Sequence, residues 1–227
     1  MLMGMKGNSE VDAESFDSNI EPKLFTMSLS GEATLYPRLG EMFVEIRRRG
    51  AVSFLVTNGL NPSALRKLES EGLPTQLVIS CNAPNEELFL KWHRSSKKDA
   101  WNVFLESLDV MRELKSKVRR VVRLTLVKKG SEGEFAGMTN MSEENVDEYV
   151  SLIRRAEPDF VHVKGYKAMG YARARMGYDN QVWHDEVLDY ARKICERLGD
   201  FEIGAEDDRS CVVALVRRGV EMRITSY

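Results

Sequence analysis

Short runs of apolar and β-branched residues alternate along this chain with stretches whose apolar residues recur at helical spacing. Five such runs end in polar or glycine-containing loops, and they span residues 24–29, 52–56, 77–80, 118–127 and 160–163. Strands that alternate with helices in this way form βαβ units, and these units build parallel sheets. The pattern therefore predicts an α/β fold with parallel strands.

The predicted helices lie between these runs and after them, at residues 39–49, 62–68, 85–92, 99–114, 142–155 and 184–198. Two more strands are predicted late in the chain, at residues 201–203 and 211–216. Residues 1–22 are polar, rich in Gly, Asn, Ser and Asp, and show no sustained periodicity. They are therefore predicted to form an N-terminal tail.

Size and charge limit the classes of function. A chain of 227 residues fits one sizeable α/β domain. Its 33 Lys and Arg residues against 35 Asp and Glu residues give a net charge of -2, so a nucleic acid would have to meet a local basic patch. No apolar run approaches the roughly 20 residues that a membrane helix needs, which predicts no membrane partner and a cytoplasmic location.

The three cysteines, Cys81, Cys195 and Cys211, lie far apart in the sequence. Iron–sulfur and zinc sites use cysteines a few residues apart, so this chain offers no such spacing and no metal site is predicted from it. Scattered cysteines of this kind are typical of buried thiols in a reducing compartment.

Polar side chains gather directly after the five predicted parallel strands. The carboxyl ends of parallel strands meet at one edge, where binding sites are built on loops that a rigid sheet positions. For any single loop, turn formation is the favoured explanation, because Asn, Gly and Pro are common turn residues. The occurrence of candidate ligands at all five strand ends favours a site at this edge.

Residues 28–37 read Ser-Leu-Ser-Gly-Glu-Ala-Thr-Leu-Tyr-Pro. This segment resembles the Ser-Leu-x-Gly-Glu-x-Thr-Leu-Tyr-Pro motif of the tRNA 4-demethylwyosine synthases, which are radical S-adenosylmethionine (SAM) enzymes. Five further segments resemble that family in the same order, at residues 54–59, 74–77, 123–128, 158–165 and 183–187. Six collinear matches are a far more specific signal than one Gly-Glu pair.

The resemblance implies a partial (β/α) barrel of the radical SAM type at residues 23–166, with its first strand or strands missing. A C-terminal wyosine-base-formation region, continuous with the barrel, is implied at residues 167–227. The family uses SAM and a 4Fe–4S cluster as cofactors. Its reaction condenses N1-methylguanosine-37 of phenylalanine tRNA with a two-carbon fragment of pyruvate and yields 4-demethylwyosine.

The resemblance assigns Gly31 and Glu32 to the amino group of SAM. A carboxylate is a suitable acceptor for an ammonium group, and a glycine allows close approach of the backbone. Short hydroxyl and amide side chains at the next two strand ends suit ribose and carboxylate contacts, and these are Thr57, Asn58, Ser80 and Asn82. The family is expected to have an acid where Asn82 stands, so this position lacks a negative charge.

Arg123 and Thr125 alternate with Leu124 and Leu126, so the two polar residues share one face of the fourth strand. They are also assigned to the SAM site. A charge that points into a barrel needs a partner. The carboxylate of SAM and the side chain of Glu32 are both candidate partners for Arg123, and the sequence leaves this choice open.

A basic and aromatic segment follows the fifth strand. Cations contact phosphates and aromatic rings stack on unpaired bases, which predicts RNA binding by Lys164, Tyr166, Lys167, Tyr171, Arg173 and Arg175. A second basic group comprises Lys117, Arg119 and Arg120. For both groups the alternative is a solvated charged surface.

Two residues are candidate catalytic groups. Lys164 ends the fifth strand, where its amine could hold pyruvate or a tRNA phosphate, or simply extend to solvent. His184 begins a helix beside two acids, where it could transfer a proton or serve as a helix cap.

The Cys-x-x-x-Cys-x-x-Cys motif that holds the radical SAM cluster does not occur in this sequence. Because no side chain supplies a reducing electron, the chain is expected to be inactive alone. One hypothesis is a fragment that works with a separate cluster-bearing chain. The alternatives are a cluster-free relative that binds tRNA or SAM without catalysis, and a metabolic α/β enzyme with a phosphate ligand.

Overall fold

Seven strands form one sheet in the computed structural model, which describes residues 6–28 and 31–224. The strands are β1 (Leu24–Met27), β2 (Val52–Thr57), β3 (Gln76–Ser80), β4 (Arg119–Leu126), β5 (Phe160–Gly165), β6 (Phe201–Asp207) and β7 (Val212–Arg217). Their order is β1-β2-β3-β4-β5-β7-β6. The parallel arrangement is confirmed for β1 to β5, whereas β7 runs antiparallel to β5 and to β6.

The α-helices of the described residues are α1 (Ala13–Ile20), α2 (Leu39–Arg48), α3 (Pro62–Glu71), α4 (Glu86–His93), α5 (Ala100–Glu113), α6 (Glu143–Ala156), α7 (Gly170–Met176) and α8 (His184–Leu198), and a short 3-10 helix spans Ala33–Leu35. Local signals explain why the predicted helices begin where they do. Pro62 occupies the first turn of α3, and Ser142 and Asn145 form a reciprocal capping box at α6.

Two helices were not predicted from the sequence. Helix α1 lies within the expected tail; the Asp12 side chain accepts a hydrogen bond from Ser15 N at 2.7 Å, and Phe16 is buried. Helix α7 has seven residues, begins at a glycine and has no side-chain cap. Short helices give little periodicity to detect, and both depend on packing against the rest of the fold.

The main core lies between the helices and one face of the sheet. On β4 the even-numbered residues Val122, Leu124 and Leu126 are completely buried, because successive side chains of a strand point to opposite faces. They pack in one apolar cluster with residues such as Phe104 of α5 and Ile153 of α6. A strand buried in this way places its odd-numbered residues on the other face.

On the other face of the sheet, three cross-strand rows of side chains follow one another toward the carboxyl ends of β3 to β5. The first row is a small apolar cluster of Val78, Val121, Phe160 and Val216. The next row toward the carboxyl ends of β3 to β5 is Ser80, Arg123, His162 and Ala214, and the third is Thr125, Lys164 and Val212. The last two rows are only half-buried, so this face is open and polar at its carboxyl edge.

The sheet is open, and its edge strands are β1 and β6. Leu24 of β1 is half exposed, as expected for a strand that pairs on one side only. Within the described residues, no helix combines the length and apolar character needed to cross a bilayer.

Candidate functional site

Arg123 is the central cation of the open face. Its Nη2 donates a hydrogen bond to Ser80 Oγ at 3.1 Å, and no ion pair links it to a carboxylate of the described residues. Burial lowers the pKa of the guanidinium, although it stays charged at any physiological pH. A half-buried cation without an acid is costly, so this position is suited to an anion from outside the chain.

Glu32 was one candidate partner of Arg123 in the sequence, but its carboxylate is hydrogen-bonded to other residues. Its Oε1 accepts hydrogen bonds from Thr34 Oγ1 at 2.8 Å and Thr57 Oγ1 at 2.7 Å, and its Oε2 accepts one from Asn58 N at 2.9 Å. The carboxylate therefore joins the loops after β1 and β2 and is not the partner of Arg123. Since Oε2 accepts only this bond, it retains capacity for another donor.

Gly31 precedes this carboxylate with a φ of +72°, and a Cβ there would meet no atom within 4 Å. The position requires glycine for its backbone conformation rather than for space. Ser30 and Leu29, which belong to the same motif, lie outside the described residues.

Asn82 lies directly after β3 and has a buried, unpaired acceptor. Its Oδ1 has no hydrogen-bond partner, while its backbone carbonyl accepts bonds from Asn140 Nδ2 at 2.8 Å and Tyr149 Oη at 3.3 Å. The indole Nε1 of Trp92, at the end of α4, is likewise buried and unpaired. Both residues line one cavity of about 230 Å³, together with Thr125 and His93. The residues that line the cavity thus include one buried acceptor and one buried donor without partners.

His162 is a member of the site that the sequence analysis did not select. It pairs in register with Arg123, and its neighbours on the same strand and face are Phe160 and Lys164. Burial, followed by the charges of Arg123 and Arg119, lowers its pKa to about 4, so the imidazole is neutral at pH 7. The alternation that grouped Arg123 with Thr125 also applies to His162 and Lys164.

The predicted RNA-binding residues separate into exposed and interior groups. Tyr171 of α7 is 94% exposed, and Arg173 lies over the ring of Tyr178 at 5.9 Å. Arg175 lies over the ring of Phe135 at 5.3 Å and donates to Trp92 O at 3.4 Å, so it closes one side of the 230 Å³ cavity. The expectation for Tyr166 needs correction, because its ring is buried.

Tyr166 donates its hydroxyl hydrogen to Gly177 O at 3.2 Å, and this bond holds α7 against the end of β5. Trp183, which is half exposed, offers an aromatic surface in its place.

His184 lies apart from Lys164. It begins α8, its Nε2 lies 3.2 Å from Glu206 Oε2, and its Nδ1 is buried without a partner. It shares a second cavity, of about 280 Å³, with Lys167 and Cys211. Lys164 instead stands on the open face in register with Thr125.

The residues of the second basic group bind other parts of the same chain. Arg120 forms a buried ion pair with Asp159, and Lys117 pairs with Glu69. Arg119 stacks on Phe160 at 3.8 Å and donates to Glu221 O and Met222 O. These residues border the 830 Å³ groove at the opposite end of the sheet, which acids also line. The structure therefore favours a structural role for this group.

Comparison with known proteins agrees with this geometry. The family model for wyosine base formation matches residues 155–217. The tRNA 4-demethylwyosine synthase of Pyrococcus abyssi is 37% identical over 222 residues, which are 97% of this chain and 61% of the relative. The enzyme of the same name from Methanocaldococcus jannaschii is 31% identical over 86% of this chain and 57% of the relative. The predicted resemblance to the tRNA 4-demethylwyosine synthases is confirmed over nearly the whole of this chain.

Solved structures extend this likeness to the fold. The crystal structure of archaeal TYW1 superposes with a TM-score of 0.74 at 27% identity, over 97% of this chain and 66% of that one. Coproporphyrinogen III oxidase from Escherichia coli, a radical SAM enzyme, has a TM-score of 0.57 at 14% identity, over 88% of this chain and 44% of that one. The predicted partial barrel of the radical SAM type is confirmed. The chain spans about three fifths of the length of the archaeal relatives (61% and 57%).

The synthase family is SAM-dependent by name, and the SAM residues expected from the family motifs gather at the carboxyl edge of β1 to β4. The three cysteines do not lie together at this edge of the sheet. Cys81 is buried behind β3 and its pKa is raised by burial, whereas Cys195 lies on α8 and Cys211 precedes β7. Among the described residues, no three His, Cys, Asp or Glu side chains are grouped to hold a metal ion, so the cluster does not fit there.

Proposed function

We propose that this chain is the SAM- and tRNA-binding part of a tRNA 4-demethylwyosine synthase. The reaction it serves converts N1-methylguanosine-37 of phenylalanine tRNA, with pyruvate as co-substrate, into 4-demethylwyosine. The observation that carries the proposal is Arg123, a half-buried cation without an acid on the open face of a sheet whose relatives are SAM-dependent. The names of those relatives favour this function over a non-catalytic binding module.

The groups of this chain are complementary to those of SAM. Arg123 would bind the carboxylate, and Glu32 Oε2 would accept a hydrogen bond from the amino group. The unpaired Asn82 Oδ1 and Trp92 Nε1 offer an acceptor and a donor to the adenosyl part. SAM and a reduced cluster would together supply the radical chemistry, and the residues of this chain would bind and orient SAM.

The ligands of the 4Fe–4S cluster must come from outside the described residues. A segment or a separate chain that carries the three cysteines would therefore have to hold the cluster. Lys164 and His162 lie on the open face beside Arg123 and Thr125. Lys164 can donate to a carboxylate or phosphate oxygen, which suits pyruvate or RNA.

The RNA would contact α7 and the loop around it. Tyr171, Tyr178 and Trp183 expose aromatic surface, and Arg173 and Arg175 bring positive charge to the same region. Exposed rings interleaved with cations are the usual means of holding unpaired bases, and the anticodon loop presents such bases. A tRNA substrate places the protein in the cytoplasm.

Binding measurements on the full chain test the proposal. We expect the chain to bind phenylalanine tRNA carrying N1-methylguanosine-37 in a filter assay, with an affinity that falls steeply as salt rises. A matched tRNA whose anticodon loop is closed into a continuous duplex should bind more weakly. Isothermal titration with SAM should show a single site. If the chain bound neither SAM nor tRNA, the proposed function would be rejected.

A further inference from the structure

Lys167 and Cys211 come unusually close in the 280 Å³ cavity beside α8. The amine Nζ of Lys167 lies 2.8 Å from the Sγ of Cys211. Hydrogen bonds from nitrogen to oxygen have lengths of about 2.7–3.2 Å, and sulfur is the larger atom. The nitrogen and the sulfur are therefore closer than an ordinary hydrogen bond to sulfur requires.

The backbone holds both residues in this position. Gly165 N donates to Cys211 O at 3.0 Å, and the adjacent residues Lys164 and Val212 are paired in register between β5 and β7. Cys211 has a φ of +49° at the end of the hairpin turn, and its Sγ lies 3.4 Å from Asp208 O. The amine of Lys167 also lies 5.1 Å from the ring centre of Trp183. The contact thus joins two segments that the sheet already aligns.

The cavity gives small molecules access to this pair. Lys167 and Cys211 both line it, together with Trp183, His184 and Arg209. The other cysteines differ in this respect. Cys195 Sγ lies 3.2 Å from Phe201 O, and Cys81 Sγ lies 3.6 Å from Ala83 O, so each faces a carbonyl rather than an amine.

We propose that Lys167 and Cys211 form an oxidative modification site, at which dioxygen joins the amine and the thiol through one oxygen atom. The amine loses one hydrogen and the thiol loses its hydrogen, and these leave with one oxygen atom as water. The second oxygen atom forms new bonds to Nζ and Sγ. Nitrogen and sulfur each give up two electrons, which together account for the four-electron reduction of dioxygen.

The bridge has two physical consequences. It removes the positive charge of Lys167, because a nitrogen bonded to oxygen is a much weaker base than an alkylamine nitrogen. It also ties the segment after β5 to the start of β7 across 44 residues. Both consequences follow from the contact itself and do not depend on the proposed function.

Intact mass spectrometry of the purified chain tests the site. After exposure to air, the protein should be heavier by about 14 Da than the protein kept under nitrogen, and a thiol reductant should reverse the change. Peptide mapping should link Lys167 to Cys211. The melting temperature of the bridged form should rise by on the order of 5 °C, since the link closes a long loop.

Matched variants make the result specific. Lys167→Arg keeps the charge and Cys211→Ser keeps the size of the side chain, and both should abolish the mass gain. Cys195→Ser changes a cysteine that faces no amine and should retain it. A mass gain that maps to other residues, a gain of one whole oxygen confined to Cys211, or no gain in air would overturn the proposal.

Discussion

Arg120 and Arg123 lie three residues apart on β4 and face opposite sides of the sheet. The side chain of Arg120 is 2% exposed and binds Asp159 through Nε at 3.2 Å and Nη2 at 2.6 Å, although its Nη1 has no partner. Arg123 is less buried and donates to the hydroxyl of Ser80. One arginine finds its counter-charge within the chain, and the other does not.

This difference separates a structural charge from one available to a ligand. A buried ion pair satisfies itself, and its loss leaves an uncompensated charge in the interior. A half-buried cation that lacks an acid destabilises the free protein somewhat and gains an anion when a ligand binds. Substitutions of these charges and of their neighbours should therefore differ in their effects on stability and on ligand binding.

Asp159→Asn should destabilise the protein most. The substitution removes the counter-charge of Arg120 with little change in shape, and the loss of one partner from a buried pair costs about 3–5 kcal/mol. Urea denaturation at pH 7 measures this change in the free energy of unfolding. Arg123→Met, on the same strand, should cost under about 1 kcal/mol, since it removes no ion pair. Equal losses in the two variants would contradict the comparison.

His162 should make stability depend on pH. Its pKa is about 4 in the folded protein, and an unfolded histidine has a pKa of about 6.5. Between these values the unfolded chain binds a proton that the folded chain does not, so the contribution is present above pH 6.5 and is lost as the pH falls toward 4. The effect amounts to up to about 3 kcal/mol.

Denaturation at a series of pH values, compared between wild type and His162→Gln, isolates this contribution from that of the carboxylates. Because Arg123 helps to lower the pKa of His162, an Arg123→Gln variant should show a higher imidazole pKa in an NMR titration. An unchanged value would show that the charge of Arg123 does not act on His162.

Arg123→Gln should weaken SAM binding. A hydrogen bond to a charged group contributes about 1.5–3 kcal/mol, so the Kd should rise by about ten- to a hundredfold. The matched control is Arg119→Gln, which alters the same face of β4 at its other end, where the guanidinium contacts Gln76 and Phe160. Titration calorimetry should show a control Kd close to wild type. A similar loss in both variants would place SAM elsewhere.

Arg173→Gln should have the smallest effect. Arg173 is exposed on α7, so its substitution should leave stability and SAM affinity unchanged. If it contacts a phosphate, filter binding of tRNA should weaken several-fold and the slope of log affinity against log salt should decrease by about one. An unchanged salt slope would remove Arg173 from the RNA surface.

The sequence predicted the strands, and the side chains that share a face of a strand, because both depend on residues a few positions apart. Arg123 and Thr125 were grouped because side chains alternate along a strand, and their shared position on the open face is confirmed. The capping box at Ser142 was recognisable from four residues. Helices α1 and α7 were missed because short segments carry little periodicity and depend on tertiary packing.

The partners of charged and aromatic groups were less predictable. Glu32 was a candidate counter-ion for Arg123, but it bonds to the loop after β2 and leaves the arginine without an acid. Tyr166 was expected to face RNA, but it is buried beneath α7. The contact between Lys167 and Cys211 joins residues 44 positions apart, which no sequence spacing suggests.

The sequence by itself determined the strands and the longer helices, which side chains share a face, and to which family the collinear motifs point. These properties depend on alternation, capping and turn residues within a few positions. Tertiary structure alone decided that Arg120 meets Asp159 while Arg123 meets no acid, because that outcome depends on which strands become neighbours. The energy of a charge is set by the groups within a few ångströms, and these come from distant parts of the chain.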